Sequence, residues 1–168
     1  MTDATAPAEP SATPRLSPHV AMKRVTILVN PLSGGVGPQA AAEAEAILST
    51  YPLEATVVTL EGPRIKDQIG EALAAKPDVL FVLAGDGTAR SVATRAGAKG
   101  PLIAPLPGGT MNMLPHALYG ERPWQAVMRD CLDAGEARAI SGGEVDGRLF
   151  FVAGILGILV TVALLIGI

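Results

Sequence analysis

The sequence predicts an α/β fold, in which a parallel sheet lies between two layers of helices. Runs typical of strands alternate with runs typical of helices, and the links between them are short. Residues 79–83, Val-Leu-Phe-Val-Leu, are apolar throughout, which is typical of a strand buried on both faces. Aromatic residues make up 4% of the chain and hydrophobic residues 49%, so the core must consist mostly of Ala, Val, Leu and Ile.

Composition excludes several classes of protein. The 168 residues suffice for one domain with a substantial core, and the net charge of -3 provides no basic surface for a nucleic-acid partner. Cys131 is the single cysteine, which excludes an intramolecular disulfide and a zinc site built from cysteines. We interpret Cys131 as a packing residue of a helix in a reducing compartment.

The N-terminal segment, residues 1–22, is predicted to be a disordered tail because it is rich in Ala, Pro, Ser and Thr. A signal peptide is excluded because the segment has no apolar central stretch and contains Asp3 and Glu9. We therefore expect a cytoplasmic protein.

The first half of the domain begins with two predicted strand–helix pairs. Residues 25–29 and 55–60 are rich in β-branched residues and predict strands. Residues 39–50 are rich in Ala and Glu, and residues 64–75 carry apolar side chains at helical spacing, so both segments predict helices.

The second half continues after the buried strand with a helix, a strand and two more helices, predicted at residues 88–96, 102–106, 111–118 and 124–133. Pro105 has no N–H group to donate, and we expect it to weaken the end of its strand. The pattern then changes, because strand-like residues 136–140 and 148–152 flank Asp146-Gly147, a sequence that favours a hairpin turn. We interpret residues 23–134 as the α/β domain and residues 135–157 as the start of a second, β-rich domain.

Three glycine-bearing loops, which begin at Asn30, Gly85 and Pro107, each follow a predicted strand. Carboxyl ends of parallel strands meet at one edge of a sheet, and ligands bind beyond that edge. The three loops are therefore expected to line one binding site.

The Gly85-Asp86-Gly87-Thr88 loop has the chemistry of a phosphate site. Its glycines allow a phosphate to approach the backbone, Thr88 can cap the following helix, and Asp86 can bind Mg²⁺ through oxygen. The alternative interpretation is a structural turn followed by a helix cap.

The other two loops also allow two interpretations each. In Pro107-Gly108-Gly109-Thr110-Met111-Asn112, Thr110 and Asn112 offer polar groups to a ligand, or Thr110 simply caps a helix. Residues 35–40, Gly-Val-Gly-Pro-Gln-Ala, match the dinucleotide fingerprint, which leaves a nicotinamide or flavin dinucleotide as an alternative ligand. The sequence contains no Gly-Lys-Ser/Thr, so no P-loop lysine is present.

Taken together, residues 30–35 (Asn-Pro-Leu-Ser-Gly-Gly), 85–88 (Gly-Asp-Gly-Thr) and 107–112 (Pro-Gly-Gly-Thr-Met-Asn) resemble the diacylglycerol kinase catalytic family, which includes bacterial lipid kinases and sphingosine kinases. The resemblance implies that an N-terminal α/β domain binds ATP and Mg²⁺, and that the acceptor is a lipid hydroxyl, as in diacylglycerol or a related long-chain alcohol. It assigns to the nucleotide site Asn30, Ser33, Gly34, Gly85, Asp86, Gly87, Thr88, Gly109, Thr110 and Asn112, with Asp86 as the metal ligand.

This sequence departs from the family pattern at four positions. Ala84 stands where the family usually has Gly, Arg90 and Ser91 stand in place of Asn-Glu, and Met113 stands in place of Asp. The resemblance also implies a second domain that carries an acidic residue as the general base, so the catalytic residue is unknown and the chain is expected to be incomplete. A nucleotide-binding module without catalysis is therefore an alternative.

The C-terminal residues 150–168 carry no charge, and a helix of that length would just cross the ~30 Å core of a membrane. The alternative is that residues 150–157 resemble the family's next strand, in which case the apolar tail 158–168 is too short to span. We favour the second interpretation, with a truncated or frame-shifted tail and peripheral contact of the protein with the inner membrane face.

Overall fold

The computed structural model describes residues 15–17, 20–145, 148–150 and 160–166. Its strands are β1 (Arg15–Ser17), β2 (Arg24–Val29), β3 (Glu54–Thr59), β4 (Val79–Ala84), β5 (Leu102–Pro107), β6 (Glu136–Val145), β7 (Arg148–Phe150) and β8 (Val160–Ile166). Its helices are α1 (Ala40–Leu48), α2 (Ile65–Ala74), α3 (Asp86–Ala96), α4 (Met113–Tyr119) and α5 (Trp124–Ala134), and a short 3-10 helix, Gly62–Arg64, leads into α2.

Seven strands follow one another across the sheet in the order β1-β6-β8-β5-β4-β2-β3, and β7 pairs with β6. The four neighbouring strands β3, β2, β4 and β5 are parallel and pair without a shift in register. Ile27 of β2, for example, lies opposite Val57 of β3 and Phe81 of β4. The predicted parallel α/β fold is therefore confirmed. Parallel pairing suits β2, β4 and β5 because their β-branched and aliphatic residues are buried on both faces of the sheet, whereas the edge strand β3 is mostly exposed.

The two faces of the sheet build separate core layers, because successive side chains of a strand point to opposite faces. Ile27, Phe81 and Leu83 pack on the side of α1 and α5, whereas Leu28 and Val82 pack on the side of α2 and α3. All six residues of β4 are buried, as the apolar run predicted. The molecule thus has three layers, and the central strands hold the loops that follow them at fixed positions.

Cys131 lies fully buried in the layer formed by α5, in agreement with its interpretation as a packing residue. Burial raises the pKa of the Tyr119 hydroxyl well above 10.0, and Cys131 beside it contributes to the shift.

At the amino edge of the sheet, Asp78 holds the starts of two strands together. One of its carboxylate oxygens accepts hydrogen bonds of 2.8 Å from the backbone N–H groups of both Lys23 and Arg24. These hydrogen bonds lower the pKa of Asp78 from its usual value of 3.8. Asp78 therefore fixes the register between β2 and β4 at the end opposite to the glycine loops.

β5 contradicts the expectation that Pro105 weakens the end of its strand. Despite Pro105, the strand runs to Pro107 and keeps its register with β4 over six residue pairs. Its pairing with β8 consists of the single pair Ile103–Leu164. Prolines cannot donate to a ladder, and the regular register with β4 over all six residues shows that Pro105 and Pro107 do not interrupt the pairing on that side.

The N-terminal prediction is wrong for three residues. Arg15–Ser17, in the segment predicted to be disordered, form a strand antiparallel to β6. The exposed edge of β6 offers unpaired backbone groups, which a passing segment of almost any sequence can satisfy. The rest of the predicted tail lies outside the described residues, apart from residues 20–22.

The C-terminal strands agree with one prediction and correct another. β6 and β7 pair antiparallel on either side of Asp146-Gly147, the predicted turn, which itself lies outside the described residues. Val160–Ile166 is a strand, antiparallel to β6 and parallel to β5, so the helical membrane-span interpretation is wrong for these residues. Among the described residues, no helix has the length and apolar character needed to cross a membrane.

Candidate functional site

The three glycine-bearing loops meet at the carboxyl edge of the parallel strands, as the sequence predicted. The Gly85 N–H donates a 3.1 Å hydrogen bond to the Ser33 hydroxyl, and the Gly35 N–H donates a 3.2 Å hydrogen bond to the Gly108 carbonyl. Ser33 lies in the loop after β2, Gly85 after β4 and Gly108 after β5. Each loop is therefore bonded to a neighbour, and the three form one surface.

Several of the glycines are required by the contact between loops. A Cβ atom at Gly109 would lie 2.8 Å from the Gly85 Cα, and one at Gly108 would lie 2.7 Å from the Ala84 nitrogen. A Cβ atom at Gly34 would lie 2.7 Å from the Thr110 hydroxyl. At Gly108 and Gly109 a side chain would meet backbone atoms of Ala84 and Gly85, so these two positions admit none, whereas at Gly34 it would meet only the Thr110 side chain.

Asn30 shapes the first loop through its side chain. Its Oδ1 accepts a 3.1 Å hydrogen bond from the Leu32 N–H, which turns the chain directly after β2. The backbone N–H of Asn30 donates to the Leu83 carbonyl in β4 at 2.9 Å. The predicted site residue Asn30 thus positions the loop, and it is itself half-buried.

Asn112 shapes the third loop and occupies the capping position that the alternative interpretation gave to Thr110. Asn112 adopts a left-handed conformation with φ 49° immediately before α4, and its Oδ1 accepts a 2.6 Å hydrogen bond from the Gly109 N–H. Thr110 is exposed and lies two residues before this position, so it does not cap the helix. A short polar side chain tolerates the left-handed region and fits the tight turn that the loop makes there.

Asp86 is the first residue of α3, and its carboxylate reaches across to the start of α4. Its two oxygens accept hydrogen bonds of 3.2 Å from the Met113 N–H and 3.3 Å from the Leu114 N–H. Helix starts leave such N–H groups unpaired, and a negative charge there also favours the helix dipole. This role of Asp86 was not predicted from the sequence, because donor and acceptor belong to different helices.

Thr88 does not cap α3, contrary to the prediction. The helix is already formed at Asp86, and Gly85 occupies the capping position with an extended backbone. The Thr88 N–H donates to the Gly85 carbonyl at 3.0 Å, so Thr88 lies within the first turn. Gly87, also in that turn, is exposed and has nothing within 4 Å of a Cβ position, which leaves this turn open to a ligand.

A groove of about 830 Å³ extends from this turn along α2 and α3. Its polar lining includes three basic residues, Lys66, Arg90 and Arg95, and one acidic residue, Asp67. The Arg95 guanidinium donates to the Lys66 carbonyl and so ties the two helices together. The groove has the volume usual for small-molecule sites. Sequence reasoning missed it because the groove forms only when the two consecutive helices α2 and α3 pack side by side on the sheet.

Asp86 is the one predicted metal ligand, and the site does not surround it with others. Within the described part of the chain, no group of three His, Cys, Asp or Glu residues is placed to hold a metal ion. A cation at Asp86 would therefore need its remaining oxygen ligands from water or from a bound phosphate, as is common for Mg²⁺.

The sequence pattern of the diacylglycerol kinase catalytic domain matches residues 24–145, well over half of the chain. The chain belongs to the diacylglycerol kinase catalytic domain family. A search among curated proteins found no match.

Solved structures support the family fold. One from Bacillus anthracis str. Sterne, assigned as a diacylglycerol kinase, aligns with a TM-score of 0.61 and 19% sequence identity. Two others from the same organism give TM-scores of 0.59 at 20% and 21% identity. In each case the alignment covers 77% of this chain and 48% of the other, so the chain spans about half the length of these structures.

The structure shows the contacts of the four residues at which this diacylglycerol kinase domain departs from the family pattern. The Ser91 hydroxyl donates a 3.0 Å hydrogen bond to the Gly87 carbonyl, which belongs to the same helix, α3. Arg90 is exposed and lines the groove. Met113 offers Asp86 only its backbone N–H. Ala84 is buried, with its nitrogen close to Gly108.

Proposed function

We propose that the three loops bind the phosphates of Mg-ATP and that the protein is a lipid kinase, which transfers the terminal phosphoryl group to the hydroxyl of diacylglycerol or a related long-chain alcohol. Residues 23–134 would carry the nucleotide site. The observation that carries the proposal is the convergence of the loops after β2, β4 and β5 at one edge, through the Ser33–Gly85 and Gly35–Gly108 hydrogen bonds.

The phosphate-binding groups we propose are backbone N–H groups at the start of α3. The N–H groups of Asp86 and Gly87 have no carbonyl in a preceding helical turn to receive them, and the helix dipole favours an anion there. Gly87 has no neighbour within 4 Å of its Cβ position, so a phosphate can approach closely. The N–H groups of Gly35, Gly85 and Gly109, by contrast, are used to hold the loops together.

The metal-binding group we propose is the Asp86 carboxylate. A carboxylate can accept about four hydrogen bonds or metal contacts, and the two from α4 leave capacity on both oxygens. Mg²⁺ usually binds through one or two carboxylates together with phosphate oxygens and water. Asp86 stands beside the proposed phosphate position because it belongs to the same helical turn as Gly87.

The groove between α2 and α3 would hold the nucleoside. It begins at Gly87 and Thr88, so a nucleotide whose phosphates lie over the first turn of α3 can extend directly into it. Arg90 lies at this end of the groove and is exposed, which allows its guanidinium to reach the phosphate chain. Phosphoryl transfer relies mainly on such positioning and charge stabilisation.

Calorimetric titration with ATP, with and without Mg²⁺, tests the nucleotide and metal assignments together. We expect Mg²⁺ to strengthen ATP binding by roughly tenfold or more, and Asp86→Asn to remove most of that gain, because the amide lacks the charge that holds the cation. Asp130→Asn, which alters a carboxylate on α5 paired with Arg122, serves as the control. An unchanged Mg²⁺ dependence in Asp86→Asn would contradict the metal assignment.

Two alternatives give different results in the same assays. A dinucleotide-binding domain would bind NAD or NADH more tightly than Mg-ATP, and that preference would refute the kinase proposal. A nucleotide-binding module without catalysis would bind Mg-ATP but transfer no phosphate from radiolabelled ATP to diacylglycerol in detergent micelles. The transfer assay therefore decides whether this chain is sufficient for turnover.

A further inference from the structure

Three large apolar side chains of the described core region, residues 20–139, are exposed; two lie on the loops of the candidate site, and the third is the first residue of α4, directly after the third loop. Leu32 is 83% exposed, Met111 68% and Met113 43%. Elsewhere in that region the large aliphatic residues pack into the two core layers. Exposed apolar groups that gather at one place, rather than being scattered, indicate a surface that contacts another apolar phase.

The backbone of the loops holds these side chains outward. The Asn30–Leu32 hydrogen bond turns the first loop so that Leu32 lies at its tip. Met111 and Met113 flank Asn112, whose backbone is in the left-handed conformation where the loop ends and α4 begins. Leu32 and Met111 belong to loops in direct contact, since Gly34 lies against the Thr110 hydroxyl. We call Leu32, Met111 and Met113 the apolar rim of the site.

We propose that the apolar rim contacts the surface of a lipid bilayer and so brings the phosphate site to its acceptor. The inference rests on the proposed function, because a lipid hydroxyl remains at the membrane surface and the mouth of a site that phosphorylates it must face that surface. Apolar side chains at loop tips can enter the boundary between headgroups and acyl chains. Leu32, Met111 and Met113 carry no charge, so we expect the contact to be apolar and not to depend on anionic lipid.

Co-sedimentation with phosphatidylcholine vesicles that contain diacylglycerol tests this contact. The wild-type chain is compared with the triple variant Leu32→Ser, Met111→Ser, Met113→Ser, whose changes all lie on exposed side chains. We expect the partition onto vesicles to fall roughly tenfold or more, because the variant lacks the apolar area that enters the bilayer. The control, Ala74→Ser with Ala75→Ser, changes exposed residues at the opposite edge of the sheet and should bind as wild type does.

Added salt distinguishes an apolar contact from an electrostatic one. Wild-type binding should persist in high NaCl, since screening weakens charge interactions but not apolar burial. Three results would overturn the proposal: no vesicle binding by the wild type, equal binding by the triple variant, or binding that high salt abolishes. The first result would favour a protein segment as the partner of the apolar rim.

Mg-ATP affinity, measured on the same proteins, separates this proposal from the proposed function. Vesicle binding that depends on the apolar rim, in a protein that does not bind Mg-ATP, would refute the kinase site and leave the lipid contact in place. Mg-ATP binding without rim-dependent vesicle binding would refute the lipid contact and leave the proposed nucleotide site in place. Thermal unfolding of the triple variant and of Leu32→Ser alone checks that each variant is folded.

Discussion

The glycines of the site fall into two groups according to what surrounds them. Gly108 and Gly109 are buried, and a Cβ atom at either would meet backbone atoms of the neighbouring loop at less than 3 Å. Gly87 is exposed and has free space around it, although it lies in the same kind of motif. The first group is needed for the fold of the site, and only the second is placed for close approach of a ligand.

Substitution by alanine should separate these two roles. We expect Gly109→Ala to destabilise the protein by about 1–3 kcal/mol and to weaken Mg-ATP binding, because the new methyl group pushes the third loop away from Gly85. Gly87→Ala should leave the stability unchanged or raise it by up to ~1 kcal/mol, since alanine favours a helix, yet should still weaken Mg-ATP binding. Urea unfolding and calorimetric titration of both variants provide the comparison.

The Asp78 carboxylate gives stability that depends on pH in a defined direction. Its pKa in the folded protein lies below the usual 3.8, chiefly because it accepts hydrogen bonds from the Arg24 and Lys23 N–H groups. A depressed folded pKa means that the contribution is complete above the unfolded pKa and is lost as the pH falls through the folded pKa. The pH range in which the protein loses the stabilisation from Asp78 therefore lies below pH 3.8.

Asp78→Asn isolates this charge, because one oxygen accepts both hydrogen bonds and the amide oxygen can replace it. At neutral pH we expect the variant to be less stable by roughly 1 kcal/mol, a modest value because the pair of bonds is solvent-exposed. The difference from wild type should shrink as the pH falls below 3.8. Urea midpoints measured from pH 7 to pH 2.5 test the trend, and a constant difference would contradict it.

At the scale of the secondary-structure elements, the start of α4 depends on residues from outside the helix. Asn112 provides the left-handed turn and accepts from Gly109, and Asp86 of α3 accepts from the first two N–H groups. α4 has only seven residues, too few to be stable by helix propensity alone. Its position, and hence that of the third loop, is set by these tertiary hydrogen bonds.

Two variants of Asn112 separate the backbone conformation from the side-chain bond. Asn112→Gly loses the hydrogen bond to Gly109 but tolerates the positive φ, whereas Asn112→Ala loses the bond and also strains the backbone. We expect both variants to be destabilised, with Asn112→Ala less stable than Asn112→Gly by about 1 kcal/mol. Equal urea midpoints for the two variants would show that the left-handed conformation is not required.

Strands were easier to predict than helix starts, for a physical reason. The run at β2 is apolar and β-branched, so the strand was predicted within one residue of its observed start at Arg24. The starts of α3 and α4 were misplaced because Thr88 and Thr110 are good capping residues, yet Gly85 and Asn112 occupy the capping positions. A local pattern cannot show that Asp86 supplies the missing hydrogen-bond acceptor from another helix.

At the scale of the whole molecule, the parallel order of strands explains why the site could be anticipated at all. Loops after β2, β4 and β5 must share an edge once those strands are adjacent and parallel. The alternation of strands and helices in the sequence predicted parallel strands, and therefore also that Ser33, Gly85 and Gly109 would lie close together. The groove could not be anticipated, because Lys66 and Arg90 meet only through the packing of α2 on α3. The pairing of β8 with β6 was equally hidden in an apolar run that fits a strand or a helix.

A ligand that binds only the folded protein must raise the temperature of unfolding. At an Mg-ATP concentration of about 100 times its Kd, the expected stabilisation is ~2.7 kcal/mol, which corresponds to a rise of roughly 5–10 °C for a domain of this size. Differential scanning fluorimetry with ATP, Mg-ATP and NADH checks the size and the selectivity. A larger rise with NADH than with Mg-ATP would contradict the proposed nucleotide.

The hydrogen bonds that close the site also have a kinetic meaning. Ser33 and Gly85 are 52 positions apart in the chain, and the strands that carry them pair only through non-local contacts. Such contacts form late in folding, because a long loop must close before they gain any stability. No short fragment of this chain can contain the three assembled loops, so we expect a newly synthesised molecule to bind Mg-ATP, the proposed ligand, only once β5 has left the ribosome and joined β4.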